Sequence, residues 1–108
     1  MIDVTETIVL EITFTEPMLS ITNVNNILPL LKKAATINNK DIELNFAAVQ
    51  SIDSSAINML VKFYQHLMGS KRTITLTHAS PDIMKSFELV KLTKFFKIAN
   101  NTNPSLNK

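Results

Sequence analysis

Few of the 108 residues are of types that do chemistry, and one short run gathers the best of them: Asp53-Ser54-Ser55, preceded by Val49-Gln50-Ser51-Ile52 and followed by Ala56-Ile57-Asn58. A serine at the start of a helix presents an accessible hydroxyl beside a positive helix end, which receives an added phosphate well. Phosphorylation there adds roughly −1.5 to −2 charges at one point, enough to repel an acidic partner or block a close-packed interface while leaving the fold alone. The run also has a plainer use. Asp53, Ser54 or Ser55 can cap the free N–H groups of the following helix, contributing about 1 kcal/mol.

The rest of the chain offers little to an enzyme. There is no cysteine, hence no disulfide, thiolate nucleophile or cysteine-held metal, and no Gly-rich phosphate loop, His-x-x-x-His pair or Gly-x-Ser-x-Gly elbow occurs. His66 and His78 are far apart in sequence, one on the polar side of a helix pattern and the other at a strand end, where solvated or capping roles suit them. Asp41 and Glu43 share a strand face, which a wet sheet surface explains without acid–base work. Lys85, Lys91, Lys94 and Lys97 bracket Phe95 and Phe96, but a net charge of +2 spread over a mixed surface favours phenylalanines in the core and lysines in solvent over nucleic-acid binding. The expectation is a chain that is not an enzyme, with no catalytic residue, cofactor or metal and no nucleic-acid partner.

What must position Asp53 to Asn58 is legible in the periodicities. Ile8, Leu10, Ile12 and Phe14 alternate with polar residues over Thr7 to Phe14, as do Ile42, Leu44 and Phe46 over Asp41 to Phe46, and Ile74 and Leu76 over Thr73 to Thr77. Period two predicts half-buried strands, and the Asp, Glu, Asn and Thr on their second faces predict a sheet with one side near water. A further strand over Ile2 to Val4 would pair with the first around a turn at Thr5-Glu6.

Ile57, Leu60, Val61, Tyr64, Leu67 and Met68 form one stripe of a helix from Ser55 to Met68, stopped by Gly69, the only glycine. Asn58, Lys62, Gln65 and His66 take its other side. Val24, Ile27, Leu28, Leu31, Ala34 and Ala35 predict an earlier helix within Ile21 to Thr36, which Pro29 interrupts or bends. Ser80-Pro81 caps a third, with Ile83, Met84, Phe87 and Val90 inward; Leu92, Phe95, Phe96 and Ile98 then close the core.

Length, a 45% hydrophobic content and this element order describe one α/β domain with a mixed sheet of four to five strands and three to four helices. It is expected over residues 1–98, with a polar, flexible tail at 99–108. No apolar run approaches the about 20 residues of a membrane helix, and Met1 to Glu6 lacks the basic-then-apolar order of a secretion signal, so the expected location is cytoplasmic, without membrane insertion.

From about Thr7 to Ile98 the sequence resembles the STAS domain family, in its anti-sigma factor antagonist branch. Ile52-Asp53-Ser54-Ser55-Ala56-Ile57-Asn58-Met59-Leu60 is similar to that family's Asp-Ser-Ser-Gly-Leu-Gly element and the helix after it. Leu44-Asn45-Phe46, Ile74-Thr75-Leu76 with Ser80-Pro81, and Phe87 to Phe96 extend the likeness. The resemblance implies a STAS fold and places a phosphorylated serine at Ser54, modified by a serine kinase that is also an anti-sigma factor and reset by a serine phosphatase. It implies partner contacts at Asp53, Ser54, Ser55, Ala56, Asn58 and Lys62. Ala56 and Asn58 stand where the family commonly has glycine, so Asn58 adds bulk one turn from Ser54 and alters partner choice. The alternative it carries is an accessory subunit of a phospholipid-transport ABC system, docked through the same helix without a phosphate cycle.

Overall fold

The computed structural model describes residues 2–6, 8–37 and 39–99. In chain order the elements are β1 (Ile2–Glu6), β2 (Leu10–Phe14), β3 (Met18–Leu19), α1 (Val24–Ala35), β4 (Ile42–Asn45), β5 (Ser51–Ile52), α2 (Ser54–His66), β6 (Ile74–Thr77), α3 (Pro81–Leu89), a 3-10 turn (Leu92–Lys94) and β7 (Lys97–Ala99). Five strands form one mixed sheet in the order β1-β2-β4-β6-β7, antiparallel between β1 and β2 and parallel elsewhere; β3 and β5 form a separate parallel pair. The single α/β domain with a five-stranded mixed sheet and three α-helices is the architecture that the periodicities predict.

Register explains the two-sided chemistry of the sheet. Leu10, Ile42 and Ile74 lie side by side, as do Ile12, Leu44 and Leu76, and all six are buried. The intervening row, Glu11, Glu43, Thr75 and Lys97, takes the opposite face because side chains alternate along a strand. The core lies between the apolar face and the helices, with Phe46 at its centre: its ring centroid is 5.0 Å from that of Phe14 and 5.4 Å from that of Phe87.

Several boundaries differ from the sequence expectation for physical reasons. β2 starts at Leu10, and Ile8 is 90% exposed, because the register Ile2↔Phe14 to Glu6↔Leu10 makes Thr5 and Glu6 ladder residues and moves the turn beyond them. α1 runs unbroken through Pro29, which is exposed, while Val24, Ile27, Leu31, Ala34 and Ala35 are buried on the opposite side. Burying those five offsets the roughly 3 kcal/mol that an interior proline costs. α2 ends at His66, and Gly69 follows with φ +87°, a left-handed turn that suits glycine. Met68 is consequently exposed rather than part of the core stripe.

The C-terminal region departs most. α3 ends at Leu89 and Lys91 adopts φ 61°, so the chain turns away before Val90 can pack inward. Leu92 and Phe96 are buried as expected, but Phe95 is 51% exposed, its ring laid against Tyr64 at 5.2 Å. Apart from Ala99, which ends β7, the tail expected over 99–108 lies outside the described residues.

Candidate functional site

The loop that delivers Ser54 is built by the small β3–β5 pair. The Pro17 carbonyl accepts hydrogen bonds from the N–H groups of Gln50 (2.6 Å) and Ser51 (3.1 Å), and the Leu19 carbonyl accepts from Asp53 N–H (3.1 Å). This ladder holds Asp53 extended at φ −115°, ψ −175°, and the chain turns into α2 at the next residue. Asp53 is therefore the cap. Its Oδ1 accepts from Ala56 N–H at 3.1 Å and its Oδ2 from Ile21 N–H at 3.2 Å.

With Asp53 committed to two backbone donors, Ser54 is the first residue of α2 and is exposed. Its hydroxyl stands where the first-turn N–H groups lack helical partners and the helix end is positive, a setting that accepts a phosphoryl group. The preceding strand is tied in as well: Asn45 Nδ2 donates to Glu11 Oε2 (3.1 Å) while its Oδ1 accepts from Ala47 N–H (2.8 Å). Asn45 thus fixes the start of the β4–β5 connection.

The six residues expected at a contact surface fall in different places around the start of α2. Ser55, Asn58 and Lys62 line a cleft between α1 and α2 together with Ile21, Asn25 and Leu28, whereas Asp53 and Ser54 line a second cleft on the other side of α2 with Ile52, Ile57, Leu89 and Val90. Ala56 is the correction. It is fully buried, because this position of the capped first turn points into the core, and its side chain is not part of the surface.

The sequence reading misses the apolar rim. Met18 and Ile21 are exposed beside the Asp53 cap, and Leu89 (81% exposed) and Val90 border Ser54 from the end of α3. Counting i, i+3 and i+4 from Ile83 places Val90 inward; the end of α3 at Leu89, which cancels that count, has no signal in the residue pattern. His66 is exposed and His78 half-buried, the latter at φ 59° in the loop leading to the Ser80 cap. Among the described residues no group of three or more His, Cys, Asp or Glu is placed to hold a metal ion, and no helix is long and apolar enough to cross a membrane.

The family model for the STAS domain matches residues 1–104. This chain belongs to the STAS domain family. Solved structures agree on the STAS fold at low sequence identity. An anti-sigma-factor antagonist (STAS) domain protein from Planctomyces limnophilus superposes with a TM-score of 0.83 at 19% identity, covering 97% of this chain and 93% of that one. The anti-sigma factor antagonist SpoIIAA in its unphosphorylated form gives 0.70 at 17% identity, covering 94% and 90%. The murine Solute Carrier 26 member A9 anion transporter gives 0.67 at 15% identity, covering 75% of this chain and 13% of the transporter. No curated protein sequence matches the chain. In this STAS domain, then, an exposed serine opens α2 and shares a cleft on one side of that helix with Ile52, Ile57, Leu89 and Val90.

Proposed function

We propose that this STAS domain is a non-catalytic regulator of the anti-sigma factor antagonist type, which binds a serine kinase/anti-sigma factor when Ser54 is unmodified and is released when Ser54 is phosphorylated. The observation that carries this reading is the position of Ser54: exposed, first in α2, beside a carboxylate already used as a cap, and bordered by Ile57, Leu89 and Val90. Transfer of the γ-phosphoryl group of the kinase's nucleoside triphosphate to Ser54 Oγ, with loss of the hydroxyl proton and release of the diphosphate, would place about two negative charges inside that apolar rim. A partner that packs dry against Leu89 and Val90 cannot also solvate such a group, so contact is lost. Ser55, Asn58 and Lys62 widen the contact surface toward α1, and a serine phosphatase restores the free hydroxyl.

The test is intact-mass spectrometry with peptide mapping on protein recovered from its native cell, wild type against Ser54→Ala. A phosphate on Ser54 that is missing in the variant supports the switch. An unmodified chain under all growth conditions, co-purifying stoichiometrically with a membrane transport ATPase, overturns it in favour of an accessory subunit. That second reading draws on the likeness to a domain making up 13% of an anion transporter chain.

A further inference from the structure

The sheet ends at β1, which pairs with β2 on one side and, among the described residues, with no strand on the other. Leu10 N–H donates to the Asp41 carbonyl, toward β4, at 2.8 Å. Backbone groups alternate along a strand, so Glu11 and Thr13 are the β2 residues that bond β1, through Thr5 and Asp3 opposite them. Ile2 and Val4 consequently turn their N–H and C=O groups outward, a row that templates pairing with another chain. Val4 lies in register with the fully buried Ile12, on the helix-covered face, yet it is 42% exposed. The helix over this edge is α1, which packs against β1. Ile21, Val24, Asn25 and Leu28 line its cleft with α2, and Leu30, two residues or about 200° on from Leu28, takes the flank away from α2. There it sits between the buried Ile27 and Ala34 and is 37% exposed.

We propose that this edge joins a second copy of the chain, β1 pairing antiparallel with its own copy about a twofold axis at Val4, so that one sheet runs through both. The strand is complementary to itself in that register. Val4 faces Val4 of the second copy, Ile2 faces Glu6 and Asp3 faces Thr5, so no like charges are opposed, and the outward groups of the two Val4 residues exchange a pair of hydrogen bonds. The same axis serves the helices. Val4 is the middle residue of β1 and Leu30 lies at the middle of α1, and the two elements have nearly equal lengths of about 17 and 18 Å, so Leu30 of one copy is brought toward Leu30 of the other. This match of backbone row and apolar flank about one axis is what selects a second copy over a strand from another protein. Pairing of β1 with β7, the other sheet edge, would not close on itself and would build a filament. The proposal goes beyond the regulatory reading and does not rest on it. Ser54 lines the cleft on the far side of α2 from α1, so a dimer keeps both Ser54 sites open.

The test is sedimentation velocity of the full chain from about 5 to 500 μM, wild type beside Val4→Lys and Leu30→Glu, with circular dichroism on each variant. Wild type is expected to dimerise across this range, and either substitution to weaken the dimer at least about tenfold. If Val4→Lys fails to fold, Leu30→Glu, at an exposed helix position, carries the comparison. The chain has no cysteine, so single-cysteine variants report the register. Val4→Cys should cross-link to its own copy on mild oxidation, the two Cα atoms being about 5.5 Å apart, whereas Thr5→Cys, opposite Asp3, should not. A chain still monomeric at about 500 μM overturns the proposal, and is the outcome if the edge is kept for another protein's strand. A dimer that neither substitution weakens, equal cross-linking of both cysteine variants, or growth into longer species overturns it as well. Ser54→Asp should dimerise as wild type does; loss of the dimer in that variant would place the contact at the Ser54 cleft instead of at β1.

Discussion

The carboxylate of Asp53 accepts a hydrogen bond from the backbone N–H of Ile21 at 3.2 Å, across 32 residues of sequence, while its other oxygen caps α2 through Ala56. One side chain therefore fixes both the start of the helix that bears Ser54 and the segment leading into α1. Capping alone predicts only the second bond; the first makes Asp53 a link between two elements of the site.

Removing that link has a measurable cost. Asp53→Ala is expected to destabilise the domain by about 1–2 kcal/mol in urea unfolding, since a lost N-cap costs about 1 kcal/mol and a second amide loses its acceptor. Hydrogen exchange should speed at both Ile21 and Ala56. Faster exchange at Ala56 alone would show that the two segments are not coupled through this residue.

Modification of Ser54 should leave stability nearly untouched. An anion at the first helical position gains about 0.3–1 kcal/mol from the helix end and loses part of this to the neighbouring Asp53 charge. Ser54→Asp and Ser54→Ala are accordingly expected to unfold within about 0.5 kcal/mol of wild type. Their binding to the kinase/anti-sigma factor should nevertheless diverge, with Ser54→Ala binding as the unmodified protein and Ser54→Asp failing. Equal affinities by calorimetry would refute the switch.

Much of this architecture is written in alternation and helical spacing, because burying one apolar face of each element is the largest favourable contribution to folding and shows in residue order. Leu10, Ile12, Leu44 and Leu76 are where period two puts them, and the Asp53 cap stands where the residue types suggest. What residue order does not carry is where an element stops relative to its neighbours. Ile8 continues the alternation of β2 yet lies in a turn set by pairing with β1, and Val90 continues the spacing of α3 one residue after the helix has ended. The β3–β5 pair, two residues per strand, is too short to have a period; it is held by the carbonyl of Pro17, which no pattern reveals.

Arg72 is another such case. In sequence it belongs to a basic turn, but Nη1 donates to the Ala35 carbonyl and Nε to the Lys40 carbonyl, both at 2.8 Å, so the guanidinium closes the C-terminal end of α1 and the entry to β4. Arg72→Ala should cost about 2 kcal/mol, as expected for losing charge-assisted bonds to half-buried carbonyls. Arg72→Lys should recover no more than half, because one ammonium cannot span both acceptors in the planar geometry of the fork. Full recovery by lysine in urea unfolding would mean that charge, not geometry, is what matters there.

The phenylalanines separate the interior from the surface. Phe46 is fully buried between Phe14 and Phe87, so Phe46→Ala should cost about 3–5 kcal/mol through lost transfer energy and an unfilled cavity. Phe95 lays its ring against Tyr64 and leaves half its surface in water. Its removal should cost about 1 kcal/mol, the scale of an aromatic pair with little cavity behind it. The decisive comparison is urea unfolding of the two variants, in which Phe95→Ala should keep most of the stability that Phe46→Ala loses. If instead Phe95→Ala unfolds as readily as Phe46→Ala, the ring is a core element despite its exposure.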